Sequence, residues 1–374
     1  FFRWAALKVA LLANGSGLRL YFYITLLTAV VSILFANDSA VLILTPIVLE
    51  IIVLLGIDGK SRIAYLFGAG LVADTAAMPL ITSNPVNIVS ADFFHYTFID
   101  HLKFMAPVAI VTIILSILVV YLFFRKDVRI SYSPDVLRKL MSGGQLISSR
   151  NLRVSAVVLV LIDVGYVVAS LNRIPVSLVI CSGAFFLLGF YSMTAAPLEG
   201  GVGTGRVARA GKILKSVNWD ILVFMIGIFL VVQGLRHAGA VDALASLFRW
   251  SISLPSALST LVPALVVTIG ASAMNNWPMT MMGLLSIQSV AGVLPASDFT
   301  NLVFSNVIGN NLGPHFFPLG SLAILMWLGV MRSKGLKVRL IDYLKVGSVL
   351  SIIEVAAASL ILWIEIYGLG MVLK

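Results

Sequence analysis

Long apolar runs separated by short polar segments dominate this chain. About 20 residues of α-helix cross the hydrocarbon core of a bilayer, so apolar runs of about that length predict membrane-spanning helices. Because lipid-exposed backbone must satisfy its own hydrogen bonds, the pattern predicts an all-α polytopic membrane protein. The uninterrupted runs are Lys103–Phe124, Val154–Ser170, Ile174–Tyr191, Trp219–Leu235 and Tyr343–Ile364.

Four further apolar stretches are interrupted by polar residues. Ile63–Ser90 and Leu302–Met331 contain Gly, Pro, Asn and other polar residues, and we expect each to be a broken transmembrane helix. Leu20–Gly56 and Ala257–Val293 are apolar on both sides of a polar centre. Each of these two is either a pair of full spans or a re-entrant hairpin. We favour the hairpin, because its polar tip would then lie at mid-membrane, buried in protein.

Composition agrees with a membrane protein. The chain has 374 residues, of which 60% are hydrophobic and 11% charged. Soluble domains carry about 25% charged residues. These values exclude a soluble protein, a disordered chain and a nucleic-acid binder. The net charge of +10 is therefore interpreted as a marker of membrane orientation.

The positions of the basic residues predict which loops are cytoplasmic. We take Arg125–Arg153 as cytoplasmic and let each hairpin return to its own side. All 26 Lys and Arg residues then lie on that side, except Lys103, Arg173, Arg236, Arg249 and Lys374. The positive-inside rule supports this topology. Two full spans in place of each hairpin would put the loops on the same sides, so charge does not separate those alternatives.

The order of segments repeats along the chain. An amphipathic segment, a polar-tipped hairpin, a broken helix and an intact helix occur at residues 1–124 and again from about residue 240. One hairpin opens from the cytoplasm and the other from outside, which predicts inverted repeats. Residues 125–153 are expected to be a cytoplasmic linker and 154–374 the second repeat. The second repeat opens with three plain spans, so we expect about three spans to be missing before residue 1.

Polar side chains gather at the two hairpin tips and the two helix breaks. Unpaired polar groups at mid-membrane are costly, so tips and breaks together are expected to line one aqueous cavity. The alternative is that each polar residue only satisfies its neighbours. The candidate substrate and proton pathway consists of Asn37, Asp38, Ser39, Asp74, Thr75, Ser83, Asn84, Asn87, Asn275, Asn276, Asn310, Asn311, His315 and Ser321.

The ionisable residues within this set are candidate proton carriers. An ionised carboxylate inside the membrane is expensive unless it is paired, which points to Asp38 and Asp74. His315 follows a Gly-Pro pair at the second break and is either a proton-binding group or a packing histidine. Glu354 and Glu365 also lie in apolar surroundings, and we interpret both as structural partners of neighbouring groups.

The sequence contains no complete motif of the enzyme and cofactor classes considered. Gly200–Gly205 is glycine-rich, but a P-loop would need Gly at position 206 and Ser or Thr at 213, where the chain has Arg206 and Ile213. Cys181, the one cysteine, excludes a disulfide framework and a Cys-rich metal site. We expect a transporter without cofactor or bound metal, not an enzyme. Its energy must come from a gradient or a separate ATPase.

Four segments of this sequence resemble the arsenite efflux pump family, within the broad ion-transporter group that includes sodium/proton antiporters. They are FANDSAVLILTPIV (Phe35–Val48), the segment Ala73–Phe94, YLFFRKDV (Tyr121–Val128) and the segment Asn306–Trp327. The resemblance runs along the whole chain. It implies export of arsenite, and of antimonite, in exchange for protons across a bacterial or archaeal inner membrane.

The same resemblance leaves two alternatives open. One is a sodium/proton antiporter of the same superfamily. The other is a non-transporting membrane subunit on which a soluble, arsenite-stimulated ATPase docks, because some family members associate with such an ATPase. The basic loops Arg125–Arg153 and Glu199–Val217 would then be the partner surface.

One departure from the family pattern concerns the second break. Family members often carry Asp and Lys at the positions that match Asn311 and His315. The resemblance therefore shifts the expected proton coupling to Asp38 and Asp74, with His315 as a further candidate. Arsenite is expected to be the neutral trihydroxide at neutral pH, which needs hydrogen-bond donors and acceptors. Capture by three thiolates is impossible in a chain with Cys181 alone.

Overall fold

The computed structural model describes residues 2–142, 149–172, 174–194, 206–215, 217 and 219–373. The described residues form helices and no β-strand. This confirms the predicted all-α class. The glycine-rich segment 200–205, together with Arg173 and Lys374, lies outside the described residues.

Seventeen α-helices are present in the described part of the chain. They are α1 (Phe2–Leu12), α2 (Gly17–Phe35), α3 (Asn37–Leu54), α4 (Gly59–Thr75), α5 (Pro85–Phe94), α6 (Phe98–Phe124), α7 (Asp135–Ser142), α8 (Ser149–Leu171), α9 (Val176–Thr194), α10 (Arg206–Lys215), α11 (Asp220–His237), α12 (Ala240–Ile252), α13 (Ser256–Met274), α14 (Asn276–Ala291), α15 (Ala296–Leu312), α16 (Leu322–Ser333) and α17 (Leu340–Trp363).

Six described helices are long and apolar enough to cross a membrane: α2, α3, α6, α8, α13 and α17. A seventh span results if α11 and α12 count as one broken span. Each of the five uninterrupted runs corresponds to one helix, with differences of at most two residues where the run extends past it, which confirms them as helical elements. Helix α6 begins at Phe98 because Thr97 and Asp100 form a capping box there.

Contacts divide the chain into two units. One consists of Ile147–Val231 and contains α8 to α10 with most of α11. The other combines Phe2–Leu146 with Val232–Lys374. Every residue of the candidate pathway belongs to this second unit, so the site can be described within it alone.

Two helix pairs are joined by a single residue. Helices α2 and α3 meet at Ala36 (φ 65°, ψ 147°), and α13 and α14 meet at Asn275 (φ 84°, ψ 148°). The two joints therefore share an unusual backbone conformation, and the arms of each pair pack against each other. Since both arms of the first pair are long enough to span a membrane, the re-entrant arrangement stays a prediction.

Both predicted helix breaks are confirmed. Helix α4 ends at Thr75 and α5 begins at Pro85, while α15 ends at Leu312 and α16 begins at Leu322. The prolines contribute to the breaks because each lacks a backbone donor and opposes continuation of the preceding helix. The order of joined helix pair, broken helix and intact helix thus occurs in both halves. The inverted relation between the halves stays a prediction.

Buried aromatic rings connect α4, α16 and α17. Phe67 contacts the ring of Trp327 edge-on, with 5.1 Å between ring centroids, and Tyr343 lies 6.4 Å from both. Gly70 faces the same indole, and a Cβ there would lie 2.6 Å from a ring carbon. This close approach requires glycine. It holds α16 against α4 one turn before Asp74, at the start of the first break.

Candidate functional site

The centre of the site is an imidazole between two buried carboxylates. Nδ1 of His315 lies 2.8 Å from Oε2 of Glu354, and Nε2 lies 3.4 Å from Oδ2 of Asp74. All three side chains are buried. His315 lies in the second break, Glu354 on α17 and Asp74 at the end of α4. The structure therefore joins both halves of the chain at one cluster, which we call the Asp–His–Glu triad.

Asp74 is held from two sides. Its Oδ1 accepts a hydrogen bond from Nδ2 of Asn37 at 2.8 Å, at the first residue of α3. The same oxygen accepts a bond from Oγ of Ser321 at 3.1 Å. Ser321 is also the N-cap of α16, where its hydroxyl accepts from the backbone N–H of Ile324. The first hairpin tip and the second break thus position one carboxylate together.

Glu354 is oriented by a chain of hydroxyl groups. Thr75 donates from Oγ1 to Oε1 of Glu354 at 2.8 Å. Oγ of Ser116, on α6, lies 3.1 Å from the Thr75 hydroxyl. The carboxylate of Glu354 is therefore engaged through both of its oxygens, one by Thr75 and the other by His315. Asp74 differs, because its Oδ2 has no hydrogen-bond partner within the described residues.

Three amides join the two helix breaks. Asn84 donates from Nδ2 to Oδ1 of Asn311 at 3.0 Å, and Asn311 donates from Nδ2 to Oδ1 of Asn87 at 2.8 Å. Asn87 in turn donates to the backbone carbonyl of Ala77 at 3.0 Å, inside the first break. We call these three residues the amide bridge. Asn311 and Asn87 each donate one hydrogen bond and accept another through the amide. An ionised carboxylate could not replace them, because it only accepts.

The remaining predicted residues at the breaks tie helices together. Ser83 donates to the carbonyl oxygen of Ile33 on α2 at 2.6 Å. Asn275, at the second joint, donates to the carbonyl oxygen of Leu319 at 3.0 Å. These bonds attach each helix pair to the broken helix of its own half. They satisfy one backbone carbonyl in the last turn of α2 and one within the second break.

Several buried polar atoms of the triad and of helices α13 to α15 have no hydrogen-bond partner within the described residues. Asn306 and Asn310 lie one turn apart on α15, and Nδ2 of Asn310 donates to the Asn306 carbonyl oxygen at 2.8 Å. Side-chain atoms on these residues remain unused, as does the amide oxygen of Asn276 at the start of α14. The unpartnered atoms are Oδ2 of Asp74, Nε2 of His315, Oγ1 of Thr268, Oδ1 of Asn276, Nδ2 of Asn306 and Oδ1 of Asn310.

Two predicted residues form no hydrogen bond or ion pair with the triad in the described part of the chain. Ser39 is exposed, and Asp38 is half-buried next to it on α3. The backbone N–H of Asp38 donates to Oδ1 of Asn37 at 2.9 Å. Its carboxylate makes no hydrogen bond or ion pair with the part of the chain that the structure describes. In the same part, no group of three or more His, Cys, Asp and Glu side chains is arranged to hold a metal ion.

The sequence matches the family model "Arsenical pump membrane protein" over residues 1–367. The chain belongs to the arsenical pump membrane protein family. An arsenical pump membrane protein of Escherichia coli is 38% identical over 355 residues, which cover 94% of this chain and 79% of that protein. One of Yersinia enterocolitica is 36% identical over 354 residues, with the same coverage. A putative arsenical pump membrane protein of Bacillus subtilis is 26% identical over 364 residues, 92% of this chain and 78% of that protein.

Membership of the arsenical pump family makes this chain a membrane pump of bacterial type rather than an enzyme. The second break of this chain carries an amide and an imidazole at the two positions where the family resemblance implies an acid and a lysine. Asn311 belongs to the amide bridge, where its donor and acceptor are both used. His315 occupies the position between two acids at which the family resemblance implied a lysine.

Glu354 is a buried acid of this pump that lies outside the candidate pathway predicted from the sequence. The sequence predicts a structural partner of neighbouring groups at this position, and Glu354 accepts a hydrogen bond from Thr75 and contacts His315. The signal in the sequence was its position as a single carboxylate in the middle of the long apolar helix α17. An intramembrane acid of this kind is by default a candidate functional group. The partner could not be identified, because it lies 39 residues away across the second break.

Proposed function

We propose that this protein exports trivalent arsenic, as arsenite and also antimonite, across the bacterial inner membrane in exchange for protons. The family supports the arsenic substrate, since the relatives are named arsenical pumps. The observation that carries the proton coupling is the imidazole of His315 between the carboxylates of Asp74 and Glu354.

The charge of the triad supports exchange of a single proton. One imidazolium facing two ionised carboxylates leaves one net negative charge. No Lys or Arg is among the buried residues of the described chain. An uncompensated buried charge costs several kcal/mol, so one additional proton makes the triad neutral and stable. Release of that proton creates a state that relaxes only when the site changes its surroundings or binds a substrate.

The unpartnered polar atoms supply contacts for a neutral trihydroxide. Arsenite and antimonite in this form carry three hydroxyl groups, each a donor and an acceptor. The amide oxygens of Asn276 and Asn310 accept such bonds, and Nδ2 of Asn306 donates one. Oδ2 of Asp74 and Nε2 of His315 present a second pair of sites. Binding through neutral hydrogen bonds is reversible, as release on the other side of the membrane requires.

A cleft beside the starts of α4 and α17 offers the cytoplasmic entrance. Its volume is about 450 Å³, and Phe67 and Val346 line it together with basic residues such as Lys60 and Lys345. Phe67 packs on Trp327. Asp74 lies two helical turns beyond Phe67 on α4, at a rise of about 10 Å. We infer that these aromatic rings separate the cytoplasm from the triad and move when the cavity opens inward.

The transport cycle follows from these elements. A triad that has taken up a proton from outside releases it to the cytoplasm once the cavity opens inward. The ionised Asp74 then accepts a hydroxyl hydrogen bond from the trihydroxide, which loads the site. The cavity next opens outward, a new proton displaces the substrate by neutralising the triad, and arsenite leaves.

Uptake by inside-out membrane vesicles tests this function. The full-length protein is compared with an Asp74→Asn variant and with Asp58→Asn, which changes an exposed acid at the start of the same helix. With an acidic vesicle interior, we expect wild-type protein and Asp58→Asn to accumulate trivalent arsenic and Asp74→Asn to lose accumulation. Sodium movement without arsenic would establish a sodium/proton antiporter instead. Accumulation that requires an added ATPase would establish a docking subunit.

A further inference from the structure

Glu365 is a buried carboxylate that the triad does not use. It is 4% exposed, and neither of its carboxylate oxygens has a hydrogen-bond partner within the described residues. It lies in a π-helical turn, Ile364–Gly368, which continues α17. Such turns are rare and frequently occur at functional sites. A buried acid with no partner is costly in a membrane protein and calls for a functional explanation.

Among the described residues, no Lys, Arg or His pairs with Glu365. Helix α15 packs against the π-helical turn, and its charged residue, Asp298, already accepts a hydrogen bond from the hydroxyl of Tyr367 at 2.8 Å. Within the described residues, neither oxygen of the Glu365 carboxylate is hydrogen-bonded or ion-paired. It is therefore not the structural partner of a neighbouring residue that the sequence suggested.

Glu365 and Glu354 lie on one face of the same helix. They are eleven positions apart, which corresponds to about three turns and a rise of about 16 Å. Ala358 and Leu362 continue this buried stripe from one acid to the other. Ser359 lies between them on the flank of the stripe, and its buried Oγ also has no hydrogen-bond partner in the described residues.

We propose that Glu365 is a second proton-binding site, through which protons from the external side reach Glu354. The proposal rests on the proposed function and identifies where the exchanged proton enters the protein. Helix α17 begins next to the basic segment 332–339, which the positive-inside rule places in the cytoplasm, so Glu365 lies near the opposite surface. A proton binds the Glu365 carboxylate from external water. It then passes to Glu354 over the Ser359 hydroxyl and intervening water molecules.

Two transport measurements on the full-length protein in proteoliposomes test the proposal. The first is exchange of labelled for unlabelled arsenite at equal pH on both sides, which needs the substrate site but no net proton movement. The second is arsenite accumulation driven by a pH gradient. The variants are Glu365→Gln, which removes the titratable group, and Glu365→Asp, which keeps it. Glu50→Gln is the control, since Glu50 is a half-exposed acid that pairs with Arg3.

We expect Glu365→Gln to retain exchange and to reduce gradient-driven accumulation about tenfold or more, as loss of a proton-transfer group does. Glu365→Asp should recover a large part of that accumulation, and Glu50→Gln should behave as wild type. Unchanged accumulation in Glu365→Gln overturns the proposal, and so does equal loss of exchange and accumulation. Absence of both activities in the wild-type protein would instead refute the proposed function, so the two failures are distinguishable.

Discussion

Nδ1 of His315 lies 2.8 Å from Oε2 of Glu354, whereas its Nε2 lies 3.4 Å from Oδ2 of Asp74. The imidazole is therefore hydrogen-bonded to one acid and only close to the other. Both atoms of the longer contact lack a hydrogen-bond partner within the described residues. We infer that the pair with Glu354 is the stable half of the triad and that the side facing Asp74 is where a substrate hydroxyl enters.

Replacing Glu354 by Gln should uncouple transport from the proton gradient. The amide is close in shape to the acid and still accepts the bond from Thr75, but it cannot ionise. A lost proton-transfer group typically costs about a hundredfold in rate. We expect gradient-driven arsenite uptake to fall by about that factor. Measurement in inside-out vesicles, with Glu50→Gln as the control, checks this. The assay must resolve a loss of about twofold, and uptake within that range of wild type would exclude Glu354 from the coupling mechanism.

Replacing His315 by Leu should destabilise the protein. The change leaves Asp74 and Glu354 buried without their shared cation, and breaking a buried charge network in this way costs about 3–5 kcal/mol. Thermal unfolding in detergent should show a lower midpoint, and the loss should shrink in acid, where protonation removes the charges. His237→Leu is the control, because His237 is exposed. Equal midpoints for the two variants would mean that the triad is not held by charge.

Much of this architecture was predictable because the bilayer limits what a sequence can do. Apolar length identified the helices, and clusters of Asn, Pro and Gly identified the joints and breaks. Asn37, Asp74 and Ser321 were expected at one cavity, and they share hydrogen bonds. Such predictions succeed because unpaired polar groups must be satisfied by one another inside a membrane.

The specific pairings could not be predicted. Thr75 and Glu354 are 279 residues apart, and only the packing of α4 against α6 and α17 brings them together. The sequence predicts both Asp38 and Asp74 as proton carriers. In the structure Asn37 donates to Asp74, whereas the half-buried carboxylate of the next residue, Asp38, makes no hydrogen bond within the described residues. Periodicity alone does not determine how two broken helices are rotated against each other.

The amide bridge should not tolerate an acid at its centre. Asn311→Asp replaces a donor with an acceptor opposite Oδ1 of Asn87 and opposite the Val307 carbonyl oxygen. An unsatisfied buried polar group costs about 1–3 kcal/mol, and a charged one more. We expect a lower unfolding midpoint in detergent for this variant. The exposed Asn14→Asp change, whose side chain already faces Arg138, should have little effect. If Asn311→Asp were as stable as wild type, the bridge would not be a structural element.

The contact between Gly70 and Trp327 should be intolerant of a single methyl group. An added Cβ at Gly70 lies 2.6 Å from the indole, and both helices are fixed by neighbouring aromatic packing. Overpacking of this kind costs about 1–3 kcal/mol. Gly70→Ala should therefore lower the unfolding midpoint. In the double variant Gly70→Ala/Trp327→Leu the smaller side chain at position 327 leaves room for the methyl group, so the alanine should lower the midpoint less than it does beside Trp327. Gly329→Ala provides the matched control, because Gly329 lies on α16 beside Trp327 and a Cβ there meets nothing within 4 Å. Equal effects of the two alanine substitutions would show that α16 can move away from α4 freely, and the aromatic contact would then not fix the position of the first break.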